Sequence, residues 1–402
     1  MARELDATDW QIIAERQRDG RLGPMSAGPG PTAEDCRLAD FVEVVSAVTD
    51  LADYPHADAV RQNVLVYSGA RLRPDAGILP ELARALMDGP GIVVVTGAFP
   101  DLAVVDRVTE VFAQIVAEQR AAGNSVGDHF AKPGANDRIW NALEKLALRD
   151  PAAFAGYYAN DVLATVCTAW LGPAYQMTSQ VNVVNPGGAA QTVHRDYHLG
   201  FQSDGQAAGY PAHVHRLSPA LTLQGAVAHT DMPVETGPTL YLPHSQKYLP
   251  GYVAYRRADF REYFASNHIQ LPLTKGDAVF FNPALFHAAG ANRSADVRRV
   301  ANLLQVSSAF GRPMETVDRH RMSIALYRTL LGMGDRAAAN VIACCAEGYP
   351  FPTDLDRDPA IGSLAPASQA DLLTAAVAER WPAARLENEL NAWAGRRLGC
   401  VS

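Results

Sequence analysis

The sequence places a histidine and a carboxylate two residues apart, in Gln191-Thr-Val-His194-Arg195-Asp196. On an extended strand, residues i and i+2 share one face, whereas on a helix they diverge by about 200°. The approach at 181–188 is rich in strand formers and then in Asn, Pro and Gly, which favours the strand. Two imidazoles and one carboxylate on one side of a metal are the ligand set of non-haem Fe(II) oxygenases. His194 and Asp196 therefore predict two-thirds of an iron site and require a second, distant histidine.

The best second histidine is His287, which follows the run Ala278-Val-Phe-Phe-Asn-Pro-Ala-Leu-Phe. An antiparallel β unit could return this segment to the side of Asp196. Further along, Arg298 and Arg299 open another strand-like run. A cosubstrate of the 2-oxoglutarate type chelates iron through its keto acid, so its distal carboxylate needs a fixed cation. Arginine supplies a planar, bidentate one.

Other histidines compete for the metal role. His229 and Asp231 form a second His-x-Asp pair at the end of a strand-like run, and spacing alone does not exclude it. His213 and His215 form a His-x-His pair at the end of a segment, 204–215, that begins rich in Gly and Ala. We interpret this pair as substrate-loop or surface histidines, because short His pairs match metal motifs by chance.

Composition indicates an ordinary globular enzyme. The 402 residues are 48% hydrophobic and 19% charged, and the net charge of −8 argues against nucleic acid as a substrate. The five cysteines are scattered without a CxxC motif, as expected of free thiols in a reducing compartment. No apolar run approaches the roughly 18 residues of a membrane span. We therefore expect a cytoplasmic enzyme without a membrane segment or nucleic-acid partner.

The elements that must position these residues change character along the chain. From about 176 to 308, short apolar runs alternate with Gly, Pro and Asn, which predicts a sandwich, barrel or jelly roll. Helical spacing dominates before and after this region, and Asp101, Asp150 and Ser368 are suited to helix N-caps. We predict strands at 91–96, 181–184, 221–228, 278–281 and 300–306, and helices at 80–87, from Asp101 to near 123, and at 138–148, 151–171 and 322–331.

The segment Asp231-Met-Pro-Val-Glu-Thr-Gly-Pro-Thr-Leu-Tyr-Leu-Pro243-His-Ser-Gln-Lys247 resembles the acidic-Gly-Pro turn and Pro-Gly-Ser-His-Lys signature of the phytanoyl-CoA dioxygenase family. The resemblance covers about 89–308 and includes the Gly-hydrophobic-Val-Val entrance at 90–97. His244 and Gln246 depart from the signature, and Ala289 stands where many members carry a hydroxyl residue. Because Asp231 fits the acidic turn, the resemblance favours His194 and Asp196 over the rival pair.

The resemblance implies an Fe(II)/2-oxoglutarate-dependent oxygenase that uses O2. Its iron ligands would be His194, Asp196 and His287, and Arg298 would bind 2-oxoglutarate, with Arg299 as the alternative if the register differs by one. Thr178, Gln180 and Asn182 share strand parity where the family places amide contacts to 2-oxoglutarate; cross-strand hydrogen bonding is the competing interpretation.

The implied fold is α+β, with a double-stranded β-helix (jelly-roll, cupin-like) core at 89–318. A helical extension with a Gly/Pro linker (1–88) and a C-terminal helical extension (319–402) would flank it. Asp196 argues against halogenation, because a related halogenase would lack this carboxylate. It favours hydroxylation, or else a desaturation, epoxidation or rearrangement. The substrate would be a small-molecule metabolite, with specificity sought in loops 124–137 and 204–215. The alternatives are a cupin-like metalloenzyme without 2-oxoglutarate and a non-catalytic jelly-roll binding protein. The sequence does not indicate an oligomeric state.

Overall fold

The computed structural model describes residues 29–398, except residue 76 and residues 124–134. Eleven strands lie in the described part of the chain and form two sheets. They are β1 (Ala59–Arg61), β2 (Val64–Ser68), β3 (Ile92–Thr96), β4 (Asn136–Ile139), β5 (Gln176–Val184), β6 (Thr222–Ala228), β7 (Leu240–Leu242), β8 (Ile269–Gln270), β9 (Ala278–Phe281), β10 (Phe286–Ala288) and β11 (Arg299–Ser307).

The large sheet has eight strands in the order β1-β2-β3-β9-β6-β11-β5-β4. Its neighbours pair antiparallel, except for the parallel pair β2 and β3. The small sheet has the order β10-β7-β8, and His287 lies at the middle of β10 opposite Tyr241 of β7. The fold is therefore mixed α+β with a large, mostly antiparallel sheet, as the class prediction required.

The described part of the chain also contains fourteen α-helices. They are α1 (Leu38–Val45), α2 (Ile78–Met87), α3 (Leu102–Ala121), α4 (Ala142–Arg149), α5 (Pro151–Tyr158), α6 (Asp161–Leu171), α7 (Asp204–Ala208), α8 (Ala212–Ala220), α9 (Gly251–Ala254), α10 (Ala258–Asn267), α11 (Arg319–Leu330), α12 (Asp335–Cys345), α13 (Gln369–Ala378) and α14 (Ala383–Arg397). None of these helices is both long and apolar enough to cross a membrane.

Alternation along the central strands separates a helix-packed face from a cavity face. Met177, Val181 and Val183 of β5, with Leu304 and Val306 of β11, belong to the apolar cluster that helices cover. Their neighbours on the same strands, including Gln180 and Gln305, line a cavity on the opposite face. The register between β5 and β11 places Gln180 opposite Leu303 and Thr178 opposite Gln305. The sheet thus supplies a floor of polar side chains for the site.

Three of the predicted helix starts are confirmed by their caps. The side chain of Asp101 accepts a hydrogen bond from the backbone N–H of Ala103, Asp150 accepts from Ala153, and Ser368 accepts from Asp371. The helix predicted at 151–171 is instead two helices, because Asn160 caps a new start by accepting from Leu163. The helix predicted from residue 138 begins later, since 136–139 form edge strand β4.

The N-terminal segment contributes more than helices. Strands β1 and β2 extend the large sheet beyond β3, which the helical interpretation of 1–88 did not predict. Side chains from before residue 89, from the central region and from beyond residue 318 join one apolar cluster, for example Leu65, Phe280 and Leu390. The polar helix predicted at 1–19 and most of the 20–31 linker lie outside the described residues.

Candidate metal centre

Three side chains converge at one point between the two sheets. His194 Nε2 lies 3.6 Å from Asp196 Oδ1, and His287 Nε2 lies 3.4 Å from Asp196 Oδ2. One ligand atom from each of the three residues lies within 4.8 Å of the others. Two imidazole nitrogens and a carboxylate at this spacing can bind one metal ion and leave its other positions open. In the described part of the chain, this is the one such group of His, Cys, Asp or Glu residues.

The backbone fixes which nitrogen of each imidazole carries the lone pair that can bind a metal. His194 Nδ1 lies 2.8 Å from the carbonyl oxygen of Thr192, and His287 Nδ1 lies 2.8 Å from that of Leu285. A carbonyl oxygen only accepts, so both Nδ1 atoms carry the proton and donate it. Both Nε2 atoms are then lone-pair donors that face Asp196. This orientation by a second hydrogen bond is usual for metal-binding histidines.

Gln224 orients the carboxylate. Gln224 lies on β6, and its Nε2 donates a hydrogen bond to Asp196 Oδ2. Burial opposes ionisation of Asp196, but the adjacent imidazoles of His194 and His287 and the hydrogen bond from Gln224 together hold the pKa of the carboxyl well below its usual range. Asp196 is therefore an anion, as a metal ligand must be. Sequence reasoning missed Gln224, because no motif connects it to Asp196.

A β-bridge and flanking backbone hydrogen bonds hold the two ligand segments together. His194 and His287 form an isolated antiparallel bridge, in which each backbone N–H donates to the other's carbonyl at 2.9 and 3.2 Å. Asp196 N–H then donates to the carbonyl of Pro283. The predicted regular strand around His194 is thus wrong, since 185–193 are irregular. The extended geometry needed to align residues i and i+2 is nevertheless kept.

A cavity of about 590 Å³ opens beside the three ligands. Its floor comes from β3, β5, β6, β9 and β11 of the large sheet, and Tyr241 and His287 line it from the small sheet. Trp140, Phe201 and Met314 also line it, and Phe201 is 58% exposed. The ligands therefore lie at the wall of a space large enough for a cosubstrate and a small organic molecule.

The two adjacent arginines face opposite sides of the sheet. Arg299 is 5% exposed and lines the cavity, and its guanidinium lies 3.4 Å from the carbonyl oxygen of Thr236. Burial lowers the pKa of Arg299 to about 10, so the side chain is charged at neutral pH. Arg298 does not line the cavity; its side chain is 53% exposed and contacts Asn185 and Asp137. Of the two candidates, only Arg299, the alternative, faces the cavity, because strand alternation turns one of two adjacent side chains inward.

The three predicted amide and hydroxyl contacts on β5 divide into two groups. Gln180 and Asn182 line the cavity, whereas Thr178 does not. The Thr178 hydroxyl donates to the backbone carbonyl of Gln305 at 2.7 Å, which is the cross-strand bonding considered as the competing interpretation. Gln180 Oε1 accepts a hydrogen bond from Arg138 at 2.6 Å, and Arg138 packs over the ring of Trp140.

Comparison with models of known protein families shows which family the chain belongs to. The model of the phytanoyl-CoA dioxygenase (PhyH) family matches residues 87–300, more than half of the 402 residues. The chain belongs to the phytanoyl-CoA dioxygenase family. It is accordingly a non-haem iron, 2-oxoglutarate-dependent enzyme that uses O2. The histidine and aspartate donor set and the lone pairs of its Nε2 atoms fit such an iron ion.

Several solved structures are similar to this PhyH-family chain. The epimerase SnoN from nogalamycin biosynthesis is 19% identical, with 58% of this chain and 82% of that chain covered and a TM-score of 0.39. The carbocyclase SnoK from the same biosynthesis is 20% identical, with 56% and 83% covered and a TM-score of 0.38. AviO1 from Streptomyces viridochromogenes Tue57 is 15% identical, with 60% and 99% covered and a TM-score of 0.43. A search of curated proteins gave no match.

The three residues that differ from the PhyH pattern each form hydrogen bonds in the structure. His244 N–H donates to the carbonyl of Pro90, and its Nε2 is hydrogen bonded with the Thr49 hydroxyl. Gln246 Nε2 donates to the carbonyl of Gly89 at 2.9 Å. Both residues therefore tie the signature turn to the segment that enters β3. Ala289, the third departure, donates its N–H to Gln191 Oε1 and lines the cavity.

The rival histidines in this PhyH-family member are engaged elsewhere. His229 is 1% exposed, and its ring nitrogens are hydrogen bonded with Thr109 and Tyr157. Asp231 is exposed and accepts the backbone N–H of Lys275. His215 is hydrogen bonded with the carbonyl of Ala207 in the 204–215 segment, which forms α7 and the start of α8. Residues 124–134 of the predicted substrate loop, with His129 and Lys132, lie outside the described residues.

Proposed function

We propose that His194, Asp196 and His287 bind the iron of this oxygenase and that its reaction is hydroxylation of a small-molecule metabolite. The observation that carries the proposal is the convergence of two Nε2 atoms on the Asp196 carboxylate, each on an imidazole whose Nδ1–H is bound to a backbone carbonyl. The two imidazoles are thereby oriented toward the carboxylate, and the three ligands can bind one metal ion together. Fe(II) bound there with 2-oxoglutarate and O2 would supply the oxidation of a C–H bond.

Arg299 is our choice for the residue that binds the distal carboxylate of 2-oxoglutarate. It is the buried member of the Arg298–Arg299 pair, and its guanidinium lies in a cavity wall beside Tyr241. In a site of low polarity, a fixed guanidinium pairs strongly with a carboxylate and orients it. Gln180 and Asn182, on the cavity floor, would add amide contacts to the cosubstrate.

Asp196 decides between reaction outcomes. As a carboxylate held by Gln224, it would occupy the metal position that a halogenase leaves for halide. Hydroxylation is therefore the default, and desaturation, epoxidation or rearrangement would begin with the same C–H oxidation. The protein's part is to hold three ligands, to keep Asp196 ionised and to line the reacting space with apolar groups such as Phe281 and Val279 that exclude water.

The charges of the cavity favour a neutral or acidic substrate. Five arginines line it, namely Arg138, Arg195, Arg256, Arg261 and Arg299, whereas Asp196 is its sole carboxylate among the described residues. Arg256 is paired with Asp204 of α7, which brings the 204–215 segment to the cavity wall. A cationic substrate would be repelled by this set. Trp140 and Phe201 offer ring faces to an apolar or aromatic part of the molecule.

We also propose that the two facing sheets are the halves of a double-stranded β-helix that spans about 89–318. The support is the position of the cavity between the eight-stranded and three-stranded sheets, with ligands attached to the smaller one. Residues 1–88 and 319–402 would be additions to this unit. Their shared apolar cluster indicates that they fold with the core and not as independent domains.

The test is succinate formation from 2-oxoglutarate by anaerobically reconstituted Fe(II) protein on exposure to O2, beside His194→Ala. Succinate that requires iron, O2 and His194 is the expected result. Uncoupled turnover without substrate is slow in such enzymes, so binding of 2-oxoglutarate is measured in parallel by the visible absorption of its Fe(II) complex. If wild-type protein shows neither succinate nor this absorption, the proposal fails, and a cupin-like metalloenzyme or a non-catalytic protein replaces it.

A further inference from the structure

Arg195, the residue between two of the proposed ligands, borders the cavity, but its guanidinium is buried in the protein. It is only 2% exposed, and its Nη2 donates hydrogen bonds to the carbonyl oxygens of Ser245, at 2.5 Å, and Tyr248, at 3.0 Å. The guanidinium also lies 5.1 Å from the ring centre of Tyr252 and 5.2 Å from that of Phe286. Arg195 is therefore held by two carbonyl oxygens and two aromatic rings.

The surrounding chain is shaped to admit this guanidinium. A Cβ atom at Gly251 would lie 1.9 Å from Cζ of Arg195, so any side chain there would collide with the arginine. Among the described residues, no carboxylate forms an ion pair with Arg195. Burying a cation in this way is costly unless other groups compensate. The carbonyl oxygens and ring faces supply part of that compensation, whereas Nε of Arg195 has no hydrogen-bond partner in the part of the chain that the structure describes; burial lowers the pKa of Arg195 to about 10.

The contacts of Arg195 connect both segments that carry ligands. Phe286 precedes His287, and its backbone N–H donates to Ser245 Oγ at 2.7 Å. Ser245 in turn accepts from Arg195 through its carbonyl oxygen. On the other side, Tyr252 contacts the guanidinium through its ring and the backbone carbonyl of Asp196 through its hydroxyl, at 3.5 Å. The arginine thus lies where the supports of His194, Asp196 and His287 meet.

The His194–Asp196 segment is not part of a regular strand. Residues 185–193 are irregular, and the backbone of the segment is held by the bridge to His287 and by two further hydrogen bonds, from Gln191 N–H to the carbonyl of Ala289 and from Asp196 N–H to that of Pro283. Because alternate side chains of extended chain point to opposite sides, anchoring Arg195 on one side fixes the direction of His194 and Asp196 on the other. Ligand atoms must be held within about half an ångström of the productive geometry for a site to work well.

We propose that Arg195 is a positioning residue of the iron site, which holds His194 and Asp196 in the metal-binding direction through its anchor on the 245–252 segment. The inference rests on the proposed function. Arg195 would contact neither substrate nor metal in this role. Its replacement should therefore lower the affinity for the metal by more than a general loss of protein stability explains. Removing a supporting group of this kind costs about 10- to 100-fold in metal affinity.

The chain offers a matched control in Arg319. This arginine is also buried, and it donates to the backbone carbonyls of Cys344 and Met177 at 3.0 and 2.9 Å. It lies on α11, on the helix-covered side of β5 away from the cavity. Arg195→Met and Arg319→Met therefore remove the same kind of buried guanidinium, and only the first removes the anchor of the ligand segment.

The experiment measures the Fe(II) dissociation constant of full-length protein by anaerobic titration in the presence of 2-oxoglutarate, with unfolding by urea recorded for each variant. We expect the Kd of Arg195→Met to rise at least tenfold and that of Arg319→Met to stay within about twofold. An unchanged Kd in Arg195→Met, or an equal rise in both variants, overturns the inference. Failure of wild-type protein to bind Fe(II) instead contradicts the proposed function.

Arg195→Lys keeps the test decisive if Arg195→Met does not fold. Lysine keeps the charge but cannot donate to both carbonyls while lying flat between two rings. We expect its Kd for Fe(II) to rise about tenfold with a smaller loss of stability. A wild-type Kd in a folded Arg195→Lys protein would also overturn the inference, since charge alone would then be sufficient.

Discussion

Gln224 donates a hydrogen bond from its side-chain amide to Asp196 Oδ2, the same carboxylate oxygen that lies 3.4 Å from His287 Nε2. The bond also fixes the amide, because only its nitrogen can face a carboxylate. Gln224 is on β6 of the large sheet, whereas His287 is on β10 of the small one. Asp196 is therefore oriented from both sheets at once, and the site depends on how the two sheets pack.

Gln224→Leu should weaken iron binding. Leucine has a similar size but cannot donate to Asp196, so the carboxylate would lose the hydrogen bond that orients it. We expect a 10- to 100-fold rise in the Fe(II) dissociation constant, measured by anaerobic titration. Gln305→Leu is the control, because Gln305 lies directly opposite Gln224 on β11 and also lines the cavity. Equal effects of the two substitutions would show that cavity polarity, and not the bond to Asp196, is responsible.

Arg299→Gln should raise the KM for 2-oxoglutarate about 10- to 100-fold, because a charge-assisted hydrogen bond contributes about 1.5–3 kcal/mol. Fe(II) affinity measured without 2-oxoglutarate should change little. Arg298→Gln, at the neighbouring exposed position, should leave the KM within about twofold of wild type. Succinate assays over a range of 2-oxoglutarate concentrations distinguish the two. A large effect of Arg298→Gln alone would return the role to Arg298.

Asp196→Ala should abolish Fe(II)-dependent turnover while the protein remains folded, because one of three protein ligands is lost. Asp231→Ala is the counterpart in the rival His-x-Asp pair. Its carboxylate accepts only the backbone N–H of Lys275 at the surface among the contacts that the structure describes, so iron affinity should be nearly unchanged. Iron content after reconstitution and circular dichroism report the two properties. Retained iron in Asp196→Ala would remove the assignment of the site.

His229→Gln should reduce the acid sensitivity of the fold. Burial, with a smaller effect of Lys275, lowers the pKa of His229 to about 3, whereas an unfolded histidine titrates near 6.5. Between these values the unfolded state binds a proton that the folded state excludes, so the free energy of unfolding falls as pH decreases below about 6.5. The loss is at most about 1.4 kcal/mol per pH unit.

The measurement is urea unfolding of the metal-free protein at pH 7 and pH 5, for wild type and His229→Gln. Glutamine keeps polar atoms near Thr109 and Tyr157 but does not titrate. Wild-type protein should lose more stability between the two pH values than the variant does. The same loss in both would mean that other groups dominate acid unfolding.

Much of the site can be predicted from residue types and their spacing in the sequence. The His194-x-Asp196 pair, the distant His287 and the adjacent arginines are patterns of residue type and spacing, which is why they and the PhyH resemblance can be recognised from the order of residues alone. The strands at 278–281 and 300–306 are likewise set by short apolar runs, and the caps at Asp101, Asp150 and Ser368 by short polar side chains. Strand propensity and helix capping depend on residues a few positions apart, so they can be predicted without the tertiary structure.

Other features depend on contacts that no local pattern contains. The choice between Arg298 and Arg299 follows from the pairing of β11 with β5 and β6, since a shift by one residue turns a side chain to the opposite face. The bond from Gln224 to Asp196, the carbonyls that accept from both imidazoles and the anchor of Arg195 all join segments by backbone and side-chain geometry. The sequence alone thus determined the metal chemistry, whereas only the tertiary structure decided which neighbours orient its ligands, because strand register and sheet packing are set by the whole core.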